Sequence, residues 1–466
     1  MGALTLARGV TALLSLGTFA HLTRALGPDR FGILSWGLAL LLYFSLIVDL
    51  GLGVLGTREV ARDTSRVRRL AEEILTLRLV LLAVALSGFA LIVLLLDKPP
   101  LFKYVIAVEG LALVGHAFAF DWVYQGVQRM GIIALRNVTS ALLTFVGAIL
   151  IVRSPDDVVL AAVITTSALL LSNGWMAVTY WREFGPLRLR VEWTAWKRLA
   201  RPAFPIAASL LMIYVYTTVD QLMLGLLRSD TEVGWYAVSF RILTAALIAS
   251  DVINQAFLPA LSEAYGNPMA MLHRARTFAT ALFALGLPIA VGGAAMAPEI
   301  VVLFAGDDFA PATVSLTLLM INVGLVYIGK AFGDSLIAWD RERAFLWIAT
   351  AGALLNIALN AILIPAFGLN GAAVATVICG GGVTVGLAVT YYRAFGTLFL
   401  PELARTALAT AVCVGVPVWL GRAWEWPLLV IVPVCVLLYG GGLVIFRVIR
   451  PSTLAVLRRT APTEST

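Results

Sequence analysis

Fourteen apolar runs, each long enough to cross a bilayer, follow one another along this chain, and no other feature limits its fold so severely. A hydrocarbon core of about 30 Å needs roughly 20 mostly apolar residues per helix. The runs lie at 4–26, 30–54, 74–96, 101–125, 132–152, 157–180, 204–227, 233–258, 276–297, 312–337, 344–364, 370–392, 403–421 and 427–447. Only 13% of the 466 residues are charged and 60% are hydrophobic. Soluble domains carry about 25% charged residues, so too few polar side chains are present here to cover a soluble surface. The fold class is an all-α polytopic membrane protein. Cys379, Cys413 and Cys435 sit inside apolar runs at irregular spacing, which argues against both a disulfide framework and a metal site.

Orientation follows from the basic residues. The first run is too weakly basic at its start, and too closely followed by a second, to read as a cleaved signal peptide. With the N-terminus in the cytoplasm, most of the 34 Lys and Arg fall on the inner side. They include Arg58, Arg62, Arg66, Arg68 and Arg69, then Arg182, Arg188, Arg190, Lys197, Arg198 and Arg201, and in the tail Arg447, Arg450, Arg458 and Arg459. That asymmetry predicts a multi-pass protein of the cytoplasmic (cell) membrane with both termini on the cytoplasmic side. It also accounts for the net charge of +7 without nucleic acid. Outer loops are short, the longest running from Glu299 to Pro311. A membrane-embedded glycan polymerase or ligase would need a larger catalytic loop there. No phosphate-cradling Gly-Lys-Ser/Thr loop occurs, so the chain is not by itself an ATP-driven pump.

Spans 1–6 and 7–12 can be superposed along the sequence. At an offset of 202, Gly32 falls on Gly234 and Asp49 on Asp251. At an offset of 214, Gly115-His116-Ala117-Phe118 falls on Gly329-Lys330-Ala331-Phe332, and Ala161, Val163 and Ile164 meet Ala375, Val377 and Ile378. Six spans per half make both halves start on the same side, so the expected axis is a pseudo-two-fold along the membrane normal. This divides the chain into an N-lobe (1–185), a C-lobe (186–395) and an appendix of two helices and a cytoplasmic tail (396–466). Two such lobes around a central cavity are a transporter plan, with the work done between helices.

Five runs carry a resemblance: RALGPDRFGILS (Arg24 to Ser35), DLGLGVLGTREVARD (Asp49 to Asp63), DQLMLGLLRSDTEVGWYAVSFRI (Asp220 to Ile242), GDDFAPA (Gly306 to Ala312) and LNIALNAILIPAFGLNGAAVAT (Leu355 to Thr376). With the fourteen spans they resemble the polysaccharide transporter family, the lipid-linked oligosaccharide flippases, over almost the whole chain. Multidrug and toxic compound extrusion exporters and lipid II flippases belong to the same superfamily. The resemblance implies a two-lobed bundle with a cationic central cavity. It also implies movement of a polyprenyl-pyrophosphate oligosaccharide from inner to outer leaflet by alternating access, for cell-surface polysaccharide synthesis.

Charges inside spans are costly, about 2.5–3.5 kcal/mol each at the bilayer centre on insertion scales, so each needs a reason. Lys330 and Asp334 share a helical face and form either an internal ion pair or a cavity cation with its neighbour. His116, the repeat mate of Lys330, is also basic, and two such groups facing each other suit a diphosphate. Arg24, near the end of span 1, either snorkels to headgroups or lines the cavity, as the resemblance suggests. Arg241 is too deep in span 8 to snorkel and needs a partner or a water-filled cavity; it forms either a structural salt bridge, with Asp220 its nearest candidate partner in sequence, or a substrate contact. Asp49 and Asp251 occupy matching inner ends of spans 2 and 8. They are expected to cap the following loop or pair with an inner Arg such as Arg58, with gating as the alternative role. Glu109 and Asp121 on span 4 are candidate coupling-ion ligands or proton carriers. Trp36, Tyr43, Tyr124, Tyr214, Tyr216, Trp235, Tyr236 and Tyr327 read mostly as interfacial anchors.

Moving two negative charges out of a negative interior gains about 2.3 kcal/mol per charge per 100 mV. No cofactor is therefore called for, and coupling to the membrane potential, H+ or Na+ remains open. Expected partners are the polyprenyl-pyrophosphate oligosaccharide, membrane lipids, and the glycosyltransferases or polymerase of the same pathway. The alternative is a cation-coupled multidrug exporter on the same scaffold, kept open by six intramembrane carboxylates against Arg241, Lys330 and His116.

Overall fold

The computed structural model describes residues 2–448, and every regular element among them is helical. Two of the helices are too long to be single crossings. Gly2–Asp49 has 48 residues, and a straight helix of that length would measure about 72 Å, over twice the hydrocarbon thickness. It is broken at Gly27 (φ 70°, ψ 174°), followed by Pro28. The positive φ suits glycine, and proline suits the first turn of the helix that follows. Two crossings result, α1 (residues 2–26) and α2 (28–49). Glu342–Phe395 is divided in the same way at Gly368 (φ 58°, ψ −137°) into α11 (342–367) and α12 (369–395).

Between them run α3 (Val67–Leu95), α4 (Pro100–Gly126), α5 (Met130–Ile151), α6 (Pro155–Phe184), α7 (Trp193–Leu227), α8 (Asp230–Glu263), α9 (Pro268–Ala295) and α10 (Ala312–Ala338). Two more follow, α13 (Leu400–Ala423) and α14 (Leu428–Ile445). Among the described residues, twelve long apolar segments thus hold fourteen crossings, and the protein is a multi-pass membrane protein. Helices α3 and α7 begin at Val67 and Trp193, before the apolar runs that start at 74 and 204. The apolar run marks only where a helix is in hydrocarbon, and α3 and α7 continue past it through charged residues.

The chain divides into two compact units, the first comprising Met1–Ala237 with Phe304–Asp308 and the second the remainder. In the first, α7 lies along α2. Trp36 Nε1 donates to the Leu222 carbonyl (3.1 Å), Tyr43 Oη donates to the Tyr214 carbonyl (3.1 Å), and Gly225 leaves room for the Trp36 indole. Residues 186–237, which the repeat places at the head of the C-lobe, therefore pack in the first unit. After α2 the chain turns at Leu50 and Gly51, both at positive φ, into a short amphipathic helix, Leu52–Arg62. Its Leu52, Leu55, Gly56 and Val60 are buried, with Gly56 against the Trp122 ring.

On the same end, the connection between α6 and α7 is strapped onto α3. Glu72 and Glu73 are both buried. Glu72 pairs with Arg190 (2.9 Å) and Arg68 (3.5 Å), and Glu73 with Arg198 (2.6 Å) and Arg69 (2.8 Å). The amides of Arg188 and Arg190 donate to Glu72 Oε1 (3.3 Å) and Thr76 Oγ1 (3.1 Å). Two buried carboxylates are thus compensated by four guanidinium groups, as burial of charge requires.

In the second unit α10 is the most buried helix. Gly286 on α9 admits the Tyr327 ring, whose Oη donates to the Ala246 carbonyl (2.9 Å). Helices α13 and α14 form their own small core around Cys413, Val418, Ile431, Cys435 and Tyr439. They attach to α9 through Tyr439 Oη and the Ala284 carbonyl (2.9 Å). Arg450, Arg458 and Arg459 lie outside the described residues.

Candidate functional site

In the first unit the intramembrane charges converge on a break in α4. That crossing is three helical pieces, Pro100–Gly110, Ala112–Ala117 and Asp121–Gly126. Carbonyls released by such a break inside a membrane need new donors. Arg78 Nη1 donates to the Ala119 carbonyl (2.7 Å), and Asn173 Nδ2 donates to that of Gly115 (3.0 Å). Arg78 also pairs with Asp49, whose carboxylate caps the Gly53 amide (3.1 Å). Asp49 does cap the following loop, but its cation is Arg78 within α3 rather than Arg58. Asp121 pairs with Arg136 (3.1 Å), which donates to Asn173 Oδ1 (2.8 Å). His116 stands half-buried on the broken segment, within electrostatic range of Arg78, Asp49 and Arg136.

The second unit holds a simpler cluster. Lys330 Nζ lies 2.9 Å from Asp251 Oδ1 and 4.0 Å from Asp334 Oδ2. The stronger partner of Lys330 is thus Asp251, from α8, and Asp334 is secondary. Asp49 and Asp251, matched by the sequence offset, each hold a cation, but only Asp49 ends its helix; Asp251 lies twelve residues before the end of α8 at Glu263, not at an inner span end as expected. The cations come from different places, α3 in one half and α10 in the other. Arg241, on α8, is exposed and its guanidinium makes no ion pair among the described residues. The pairing with Asp220 suggested by sequence proximity is therefore not formed; Asp220 instead accepts from Tyr236 Oη and the Gln221 amide (3.1 Å).

Glu109 is buried in α4 against Gly37 of α2, and neither of its carboxylate oxygens has a hydrogen-bond partner among the described residues. Arg24 is exposed near the end of α1, with Gly306 behind its stem. Trp36, Tyr124, Tyr236 and Tyr327 are buried between helices, not interfacial as their residue types suggested. Their polar tips explain three of them, since Trp36, Tyr236 and Tyr327 each donate to a neighbouring helix.

The quoted sequence runs turn out to be sites of close backbone approach. Gly32 and Gly234 meet each other's helices, Lys98 pairs with Asp230 (2.6 Å), Trp235 Nε1 donates to the Asp308 carbonyl (3.0 Å), and Thr23 Oγ1 to that of Phe304 (3.3 Å). Three of the runs are thereby joined at one end of the first unit. Sequence reasoning missed Arg78, Arg136, Glu72 and Glu73. The first two lie only four residues inside the apolar runs and read as end-of-span charges. Because α3 begins at Val67, Arg78 is three turns deep and 4% exposed. A single basic residue between Ile74, Leu75 and Leu77 on one side and Leu79 to Leu82 on the other was the available signal for Arg78.

A family model described as "Polysaccharide biosynthesis protein" matches residues 1–265, and a second, MatE, matches residues 205–362. A putative O-antigen transporter of Escherichia coli is 24% identical over 385 residues, covering 80% of this chain and 91% of its own. A probable low-salt glycan biosynthesis flippase of Haloferax volcanii is 26% identical over 167 residues, 35% of each chain. Among solved structures, a lipid II flippase MurJ in an inward closed conformation superposes with a TM-score of 0.80 over 96% of this chain and 99% of its own, at 13% identity. An inward-facing multidrug resistance MATE family transporter of the MOP superfamily gives 0.67 over 83% and 94%, at 14% identity. These two likenesses establish a shared fold.

Proposed function

The chain belongs to the polysaccharide biosynthesis protein family, whose model covers more than half of it, and from that premise we propose that it carries a polyprenyl-pyrophosphate-linked oligosaccharide across the cytoplasmic membrane. It is a lipid-linked glycan flippase, a transporter rather than an enzyme. The finer reading is alternating access through a cationic cavity, with both termini cytoplasmic and the repeat halves 1–185 and 186–395 acting as lobes.

The observation that carries the cationic part is Arg241. An unpaired guanidinium well inside a crossing is too costly to leave facing lipid and needs water or an anion. A planar, permanently charged group suits a diphosphate. Lys330 supplies a second cation once a phosphate oxygen competes with Asp251 for its ammonium. In this mechanism the ion pair holds Lys330 in place while the site is empty. Arrival of the anion frees Asp251, so loading and rearrangement are coupled through one side chain. His116, Arg24 and the carboxylates Asp49, Glu109, Asp121, Asp220 and Asp334 are assigned supporting roles in binding, coupling or gating. The potential alone favours export of the two charges, and H+ or Na+ coupling would add to it. The strapped, basic inner face is where enzymes that build the substrate would dock.

The test is flipping of a fluorescent polyprenyl-pyrophosphate oligosaccharide in proteoliposomes under an imposed potential. Wild type would be compared with Arg241→Gln and Lys330→Gln, each verified as folded. Loss of about ten-fold or more in rate for each supports the reading. The match of the MatE family model over 205–362 favours one alternative, export of an organic cation. Wild type that leaves the lipid in place but exchanges such a cation for protons would establish it instead.

A further inference from the structure

A cavity of about 540 Å³ opens at the end of the first unit where α1 and α5 finish, lined by Gly17, Ala20, His21, Arg24, Ala25 and Arg153. Three of the six lining residues carry basic nitrogen and none is acidic. We infer that this cavity is a lipid-phosphate site at the outer surface, built from residues of α1 and the end of α5. The orientation of α1 used here is that of the proposed function.

Each side of the cavity has a distinct origin. His21 Nε2 faces the carbonyls of Ala148 (3.1 Å) and Val152 (2.8 Å) at the C-terminal end of α5; the first already accepts the Val152 amide (2.9 Å), and the second lies just past the helix. That nitrogen therefore carries the proton, and Nδ1 is left for another partner. Arg153 follows directly after α5 and forms no ion pair among the described residues. The carboxylate that it senses, Asp157, is already held by the amides of Arg153 and Ser154 (both 2.9 Å) and by the Ser154 hydroxyl (3.1 Å). Arg24 reaches the cavity from the last turn of α1.

The depth and the neighbour identify the class of ligand. The cavity lies at the helix ends, where phospholipid phosphates sit. Helix α5 buries only Ala148 and exposes Leu142, Leu143, Val146, Ile149, Leu150 and Ile151. An acyl or prenyl chain can lie along that apolar face while its phosphate meets two guanidinium groups, the geometry that favours bidentate pairing. The volume is within the range of about 300–1,000 Å³ usual for small-ligand sites. Two sources share this chemistry: the anionic phospholipid of the outer leaflet, and the pyrophosphate of a carried lipid after translocation.

Full-length protein, stripped of lipid in detergent, would be mixed with phosphatidylglycerol or with a short polyprenyl pyrophosphate, phosphatidylcholine serving as the uncharged control. Native mass spectrometry counts the retained adducts. Wild type retains one molecule of an anionic lipid beyond the control, and Arg153→Gln lowers its occupancy about ten-fold, with partial recovery in Arg153→Lys. Arg153 is exposed beyond the helix end, so the substitution asks nothing of the core. Ala20→Phe, which fills the cavity without changing charge, produces the same loss. Preference for phosphatidylglycerol identifies the bulk lipid as the occupant, and preference for the pyrophosphate identifies the carried lipid. Equal occupancy in wild type and Arg153→Gln, or binding that survives Ala20→Phe, overturns the site. Transport measured with Arg241→Gln is read separately, so a failed flippase reading and a failed cavity are distinguishable.

Discussion

Gly32 and Gly234 are repeat mates that press their helices together without room for a Cβ on either. A Cβ on Gly32 would collide with the Asp230 carbonyl and the Gly234 amide; one on Gly234 would collide with the Pro28 carbonyl and the Gly32 amide. The two sets of contacts are reciprocal under the same offset of 202 found in the sequence. Residues related by a rotation axis meet in this reciprocal way when the axis passes between them, as at a two-fold interface. The starts of α2 and α8 therefore cross in backbone contact at these two glycines.

Gly234→Ala should destabilise the protein by overpacking, by about 1–3 kcal/mol, since the obstacle is backbone and cannot rotate away. Thermal unfolding in detergent would show a lowered midpoint for Gly234→Ala and Gly32→Ala. Gly174→Ala, where a Cβ would meet open space, should be unchanged or slightly more stable.

Removing Arg78 leaves Asp49 and the Ala119 carbonyl without their donor. Breaking a buried pair costs about 3–5 kcal/mol, and the value here should fall toward the lower end because Asp49 is partly open. Arg78→Met should unfold well below wild type. Adding Asp49→Asn should recover part of the loss in a double-mutant cycle. A strictly additive cycle would mean that the pair contributes nothing.

Lys330 separates structure from transport. The exchange Lys330→Asp with Asp251→Lys restores opposite charges across the same 2.9 Å contact, so expression and thermal stability should be close to wild type. Flipping should stay at least about ten-fold lower, because the cation has moved from α10 to α8. Recovery of both would reduce Lys330 to a structural partner.

The strap on α3 should open when its acids are neutralised. Glu72→Gln with Glu73→Gln removes the charges that hold Arg190 and Arg198. Hydrogen bonds to charged groups contribute about 1.5–3 kcal/mol. Limited trypsin digestion should therefore cleave after Arg188 or Arg190 much faster than in wild type, and high salt should accelerate wild-type cleavage in the same direction.

Much of the plan was legible in one dimension. The fourteen crossings could be counted because each must present about twenty apolar residues to hydrocarbon, whatever packs beside it. The Gly27-Pro28 and Gly368 turns showed only as gaps between runs, since a positive φ at a single glycine leaves no other mark. Helix α3 was started seven residues late, which hid the depth of Arg78 and made a buried cation look like an end-of-span one. Glu72 and Glu73 were hidden for the same reason. They precede the apolar run, yet tertiary packing of the strap buries them.

The residues by themselves determined that this is a helical membrane protein of about fourteen crossings, because length and hydropathy act on each segment independently. Which charge faces which was decided only by the folded helices. Asp49 chose Arg78 over Arg58, Lys330 chose Asp251 over Asp334, and Arg241 was left without Asp220. Coulomb energy depends on distance in space and on local exposure, and neither quantity is written in the spacing of residues along a chain.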